Sequence, residues 1–102
     1  MITVVLQTAE ETVLSICAKK GNESYLIQES SEFPHLSELS MSAYDIFADS
    51  DVAELKGELN AIRSGLSGED YAHVSEIIGL ADRCVETDGA TLAFTPFGWP
   101  PP

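Results

Sequence analysis

The chain has 102 residues, 44% of them apolar, which suits one domain with its own core and is too short for two. Seventeen acidic residues against five lysines and arginines leave a net charge of −12, which excludes the basic footprint that DNA, RNA or an anionic membrane requires. No stretch approaches the roughly 20 apolar residues of a membrane span and no basic leader opens the sequence, so a complete, soluble, cytoplasmic chain is expected.

Ile2 to Gln7 is β-branched and largely apolar, as in a strand buried on both faces. Thr8 to Glu11 permits a turn, and Thr12 to Ala18 can return as a second strand. A helix over residues 9–20 competes with this hairpin, because Thr8 and Glu11 match a capping box and Val13, Leu14, Cys17 and Ala18 have helical spacing. The hairpin is the favoured reading. Asn22 to Ser30 fits either a short helix capped by Asn22 or a strand through Tyr25 to Ile27. Ser30 to Ser42 reads as loop, and Tyr44 to Phe47 as a short extended segment leading into helices.

Two amphipathic helices follow. Asp51 and Glu54 suit a capping box, and Val52, Leu55, Leu59, Ile62 and Leu66 recur on one stripe. Ser67-Gly68 separates this helix from a second, opened by Glu69 and Asp70, whose apolar face carries Ala72, Val74, Ile77, Ile78, Ala81, Cys84 and Val85. So short a break implies an antiparallel pair. Thr91 to Thr95 reads as a last strand, closed by Pro96. The expected fold is therefore α+β: a small, mainly antiparallel sheet, formed by the N-terminal hairpin and the C-terminal strand, packed on the helix pair. One domain spans residues 1–98, and Trp99 to Pro102 form a proline-rich tail.

Catalytic equipment is scarce. The sequence holds no nucleophile elbow, phosphate loop or set of metal ligands, and neither a cofactor nor enzyme activity is expected. His73 and Glu76 are three residues apart on a helix, a spacing common by chance, so surface or rim placement is expected. Cys17 and Cys84 lie in apolar patterns and read as buried free thiols rather than a disulfide.

The placement of the acids is more informative. Glu29, Glu32, Glu38, Asp45, Asp49, Asp51, Glu54 and Glu58 fall in one run opposed only by Lys56. Asp51, Glu54 and Glu58 stack on one helix face, where like charges repel by roughly 0.2–0.5 kcal/mol per pair. The helix dipole accounts for the first two but not for Glu58. An acidic surface of this kind attracts a basic protein at long range, and aromatic residues then supply the anchoring energy. The candidate contact residues are Glu38, Asp45, Asp49, Asp51, Glu54, Glu58, Tyr44 and Trp99, with Tyr25 and Phe33 as further aromatic anchors. Trp99, between Gly98 and Pro100, is expected to be exposed or half-exposed. A monomer or a weak dimer is compatible with this pattern.

Several short motifs carry a resemblance. They are Thr8-Ala9 with Val13-Leu14, Phe33-Pro34-His35-Leu36, Tyr44-Asp45-Ile46-Phe47, Ile62-Arg63, His73 with Ile77, Leu80-Ala81 with Cys84, and Leu92 to Gly98. Together these are similar to a group of small bacterial proteins of about this length. The general type resembles the immunity proteins of contact-dependent and secreted bacterial toxin systems. That resemblance implies one-to-one neutralisation of a cognate basic toxin domain, without carrying any contact residue over. The alternative is a non-catalytic regulatory or scaffold module with no toxin partner, for which the proline-rich tail could serve as a short ligand.

Overall fold

β1 (Thr3–Gln7) and β2 (Val13–Ala18) form an antiparallel hairpin in the computed structural model, which describes residues 1–99. Thr8 closes its turn twice: the Thr8 N–H donates to the Thr12 carbonyl at 2.9 Å, and the Thr8 hydroxyl accepts from the Thr12 N–H at 3.1 Å. The competing helix over residues 9–20 fails on burial, since of Val13, Leu14, Cys17 and Ala18 only Cys17 is fully buried. Ile16 outside and Cys17 inside alternate as a strand demands. A register shift beside Gln7 leaves Leu14 unpaired, a bulge that bends the edge strand.

Asn22 to Ser30 resolves as a single helical turn, α1 (Glu23–Leu26). Asn22 does not cap it. Its side-chain oxygen instead accepts from the Ile2 N–H at 2.7 Å, and its amide donates to the Ile2 carbonyl at 2.7 Å, which ties this segment to the start of the sheet. The serine-rich stretch that follows is loop apart from one 3-10 turn at Leu36–Glu38.

β3 (Asp45–Ala48) runs directly into α2 (Asp49–Arg63). The expected capping box is therefore displaced. The helix begins at Asp49, two residues ahead of Asp51, because the chain turns out of the strand at Ala48 and leaves no loop in which a side-chain cap could form. Asp49 takes a left-handed φ of 50° at that corner. Asp51 and Glu54 consequently sit inside the helix, free to face another element. α3 (Gly68–Glu86) begins where Glu69 and Asp70 indicate, and its partner α2 lies beside it.

β4 (Thr91–Thr95) enters between β1 and β3 and completes an antiparallel sheet of order β2-β1-β4-β3. α3 crosses β1, β2 and β4, while α2 packs beside β3. One core joins these layers. Val4, Leu6, Phe47, Leu92 and Phe94 descend from the sheet, Val52, Leu55 and Leu59 from α2, and Val74, Ile77, Ala81 and Cys84 from α3. Fully burying one such side chain contributes about 1.5–3 kcal/mol, so the stripes read from the sequence supply the main stabilisation. Ala72 and Val85 depart from the expected α3 face and are exposed, whereas Leu80 is buried. Among the described residues no helix is long and apolar enough to cross a membrane. The fold is α+β, with both long helices on one side of the sheet.

Candidate functional site

Three acids of the run, Asp51, Glu54 and Glu58, converge on a histidine. His35 opens the 3-10 turn that leans against the first three turns of α2, and its ring packs edge-on against Phe47 with centroids 5.7 Å apart. Below it lies Glu58, only 7% exposed, and this corrects the expectation of an exposed stripe. One Glu58 oxygen accepts from the main-chain N–H groups of both His35 and Leu36 at 3.0 Å, and the other meets His35 Nδ1 at 2.5 Å. A carboxylate so employed is a cap for a loop, and the excess acid on that helix face has a structural cause.

The other ring nitrogen, His35 Nε2, faces outward between Asp51 Oδ1 at 3.3 Å and Glu54 Oε2 at 3.4 Å. Both of these side chains are well exposed. Burial disfavours the imidazolium, but hydrogen bonds and charge from Glu58 and Asp51 outweigh it and raise the His35 pKa. Nearby, burial first and the charge of Glu38 second raise the pKa of Asp45, so these two carboxylates share one neighbourhood. Asp49 stands at the strand-to-helix corner, near enough to Cys84 to add to the burial that raises that thiol's pKa.

The aromatic candidates divide. Tyr25 and Phe33 pack against the core. Tyr44 and the half-buried Trp99 meet on the opposite side of the sheet, the side without helices, where they line a recess of about 500 Å³ with Gln7, Glu11, Ile46 and Phe97. One row of that face is apolar across its full width. Ile16, Val5, Ala93 and Ile46 lie in register across all four strands, the inner two buried and the edge residues Ile16 and Ile46 exposed at 47% and 54%. Tyr44 and Phe97 add exposed rings at 61% and 49%. Asp45 and Phe47 alternate with Ile46, so the acids around His35 lie on the helix side of β3 and the aromatic recess on the other. The proline run at 100–102, expected to be part of a tail, lies outside the described residues.

A third cluster corrects the placement of His73. It is 6% exposed rather than on a rim, because the second helical turn from Ser67 brings it under β2. Its Nε2 accepts from the Asn22 amide at 3.1 Å, and its Nδ1 lies 3.8 Å from Glu76. Burial lowers its pKa and outweighs the opposing pull of Glu76. Cys17 closes this group, its thiol pushed up to about 12 by burial and then by Glu76. Such a thiol is inert as a nucleophile.

Comparison with protein-family models, with curated proteins and with solved structures finds no match to this chain. The residues that sequence reasoning passes over are His35, Ile16, Ile46 and Phe97. The two isoleucines carried a legible signal, since each alternates with a core residue, Cys17 or Phe47, and must therefore point away from the core. His35 carried none, because its partners lie 16 to 23 residues away on another element.

Proposed function

We propose that this chain is a binding protein of the immunity type, which seats a basic partner, a toxin domain, on the open face of its sheet. One observation carries the reading: an apolar row crosses the whole sheet on the side without helices, its edge residues Ile16 and Ile46 exposed, with three aromatic rings around a recess beside it, on a molecule of net charge −12. Monomeric proteins rarely leave such a face exposed, and large apolar surfaces of this kind mark interaction sites. The charge specifies the occupant. A strongly acidic molecule draws in a basic protein and repels acidic ones, so the partner presents an apolar protrusion within a ring of lysines and arginines.

Within this reading Tyr44 and Trp99 are anchors, joined by Ile46 and Phe97. Glu38, Asp45, Asp49, Asp51 and Glu54 supply long-range attraction from the helix side of β3. Glu58 drops out as a contact because it is buried. No catalytic step is assigned to the chain. A cytoplasmic setting agrees with two free, buried thiols, Cys17 and Cys84.

The test uses the tagged protein and an Ile46→Asp, Tyr44→Ala double variant for capture from the native lysate, followed by affinity measurement on the captured protein. A basic protein should bind the wild type, and the variant should bind it at least 30-fold more weakly, since truncated anchors cost about 2 kcal/mol or more. Co-expression should suppress the toxicity of that protein with the wild type only. Capture that is equally strong with the double variant, or a partner that is acidic, would end this reading.

A further inference from the structure

We infer that His35, Asp51 and Glu54 form a binding site for one zinc-class divalent ion, with Glu58 orienting the histidine from behind. The site lies on the helix side of β3 and stands independently of the proposed binding face.

The second partner of the His35 ring is of the kind that a metal-bound histidine has. A histidine that ligates a metal ordinarily donates its other N–H to a carboxylate or carbonyl, which fixes the ring and makes the ligating nitrogen a better donor. His35 is held in that way. Its Nδ1 is engaged by Glu58, a carboxylate buried beneath the loop, while Nε2 points outward to two exposed carboxylates. His35 is itself about nine-tenths buried, so its ring has one direction in which to point.

The distances around Nε2 also suit an ion. A charge-assisted N–H···O bond settles near 2.7–2.9 Å, and Lys19 and Asp70 reach 2.9 Å in this same molecule. Asp51 and Glu54 stand further off, at 3.3 Å and 3.4 Å from Nε2. Neither is an optimal hydrogen bond. Bonds of about 2.1 Å to a tetrahedral ion, however, place neighbouring ligand atoms roughly 3.4 Å apart. All three ligand atoms lie within 4.8 Å of one another. An ion at their centre would replace the Nε2 proton, which leaves to solvent, and its remaining position would take water.

The other candidate set, Cys17, His73 and Glu76, also has its ligand atoms within 4.8 Å of one another, but its hydrogen bonding differs. There the Asn22 amide is oriented by its two hydrogen bonds to Ile2, so its nitrogen must donate to His73 Nε2. Neutral His73 then carries its proton on Nδ1, the atom that faces Glu76. A metal at Nδ1 would force an Nε2–H against the amide N–H. Hydrogen bonding thus leaves room for an ion at His35 and refuses one at His73. A single nitrogen with two carboxylates favours zinc or a similar transition ion over magnesium or calcium, which prefer all-oxygen sites.

The experiment is titration of the purified, chelator-treated chain with ZnCl2 by calorimetry, with the ring 15N signals of the two histidines followed by NMR. Wild type should bind one equivalent, with the His35 signals moving and the His73 signals still. An Asp51→Asn, Glu54→Gln variant, altered only at exposed side chains and checked by circular dichroism for an unchanged fold, should bind at least 10-fold more weakly. Cys17→Ser with Glu76→Gln should bind as wild type does, and MgCl2 should not compete. The site is refuted by absence of zinc binding, by binding that survives in the Asp51→Asn, Glu54→Gln variant, by movement of the His73 signals instead, or by equal competition from magnesium.

Discussion

Removing the Glu58 carboxylate is the most direct probe of how this molecule uses its acids. In Glu58→Ala the main-chain N–H groups of His35 and Leu36 lose their acceptor, and His35 Nδ1 loses its carboxylate, all at a site where Glu58 is 7% exposed. Each buried donor left without a partner costs about 1–3 kcal/mol, and loosening of the 3-10 turn lets water reach some of them. A net loss of about 3–5 kcal/mol follows, a large share of the roughly 5–15 kcal/mol that a domain of this kind holds in total. Glu58→Gln keeps the shape and one acceptor oxygen, so it should fall between the alanine variant and wild type. Asp51→Asn, on the same helix face but well exposed, should stay within about 0.5 kcal/mol. Urea unfolding followed by far-UV circular dichroism reads all three, with the slope in denaturant unchanged. If Glu58→Ala lowered stability by less than 1 kcal/mol, or no more than Asp51→Asn did, the capping role would be wrong and Glu58 would return to the surface acids.

Two further outcomes follow from local geometry. His73 is buried neutral, and its folded pKa lies below the ordinary value, so the stability it confers is present above about pH 6.5 and is lost as the pH falls through that lowered pKa. Around it stand Asn22, Glu76, Asp70, Lys19 and Cys17. Urea midpoints between pH 7.5 and pH 5 should therefore fall for wild type by more than for His73→Gln, at a rate of at most about 1.4 kcal/mol per pH unit for this one proton. Equal slopes would contradict the burial argument. Gly89 has a φ of 75°, and a Cβ placed there would stand 2.8 Å from the Ala9 Cβ, so Gly89→Ala should destabilise beyond the cost of the left-handed backbone alone. Gly21→Ala, at a φ of 83° with open space, isolates that backbone cost of about 1–2 kcal/mol, and melting the two variants side by side checks the difference.

The fold was largely legible because its elements repeat local signals. Val52, Leu55 and Leu59 declare α2 by spacing alone, and the Thr3 to Leu6 run suits a strand whose residues are buried on both faces. The helical spacing of Val13, Leu14, Cys17 and Ala18 was a coincidence that burial by the rest of the chain resolved. Asn22 shows where local reading stops. Its type suits a helix start, yet its side chain is taken by Ile2, 20 residues away, because a buried strand end offers two unpaired main-chain groups that an amide can satisfy together. Glu58 is the same case with a charge. As a surface acid it had no reason to sit where it repels Asp51 and Glu54. As the acceptor for a loop 22 to 23 residues upstream it does.

The division made by β3 bears on how charge and apolar surface act together in partner binding. The acids about His35 lie on the helix side of the strand, and the open aromatic face lies on the other, so few of them can touch a partner seated in the recess. Their field still extends about 8–10 Å into solution at physiological salt, far enough to steer a basic protein before contact. Charge removal at Glu38 and Asp49 should therefore slow association and flatten its dependence on salt, while leaving dissociation nearly unchanged. Truncation at Ile46 or Phe97 should do the reverse, because those side chains leave water only in the bound state. In the proposed binding, the two kinds of residue that the sequence assigned to one surface would take two kinetic roles, because alternation along the four residues of an edge strand places them on opposite sides of the sheet.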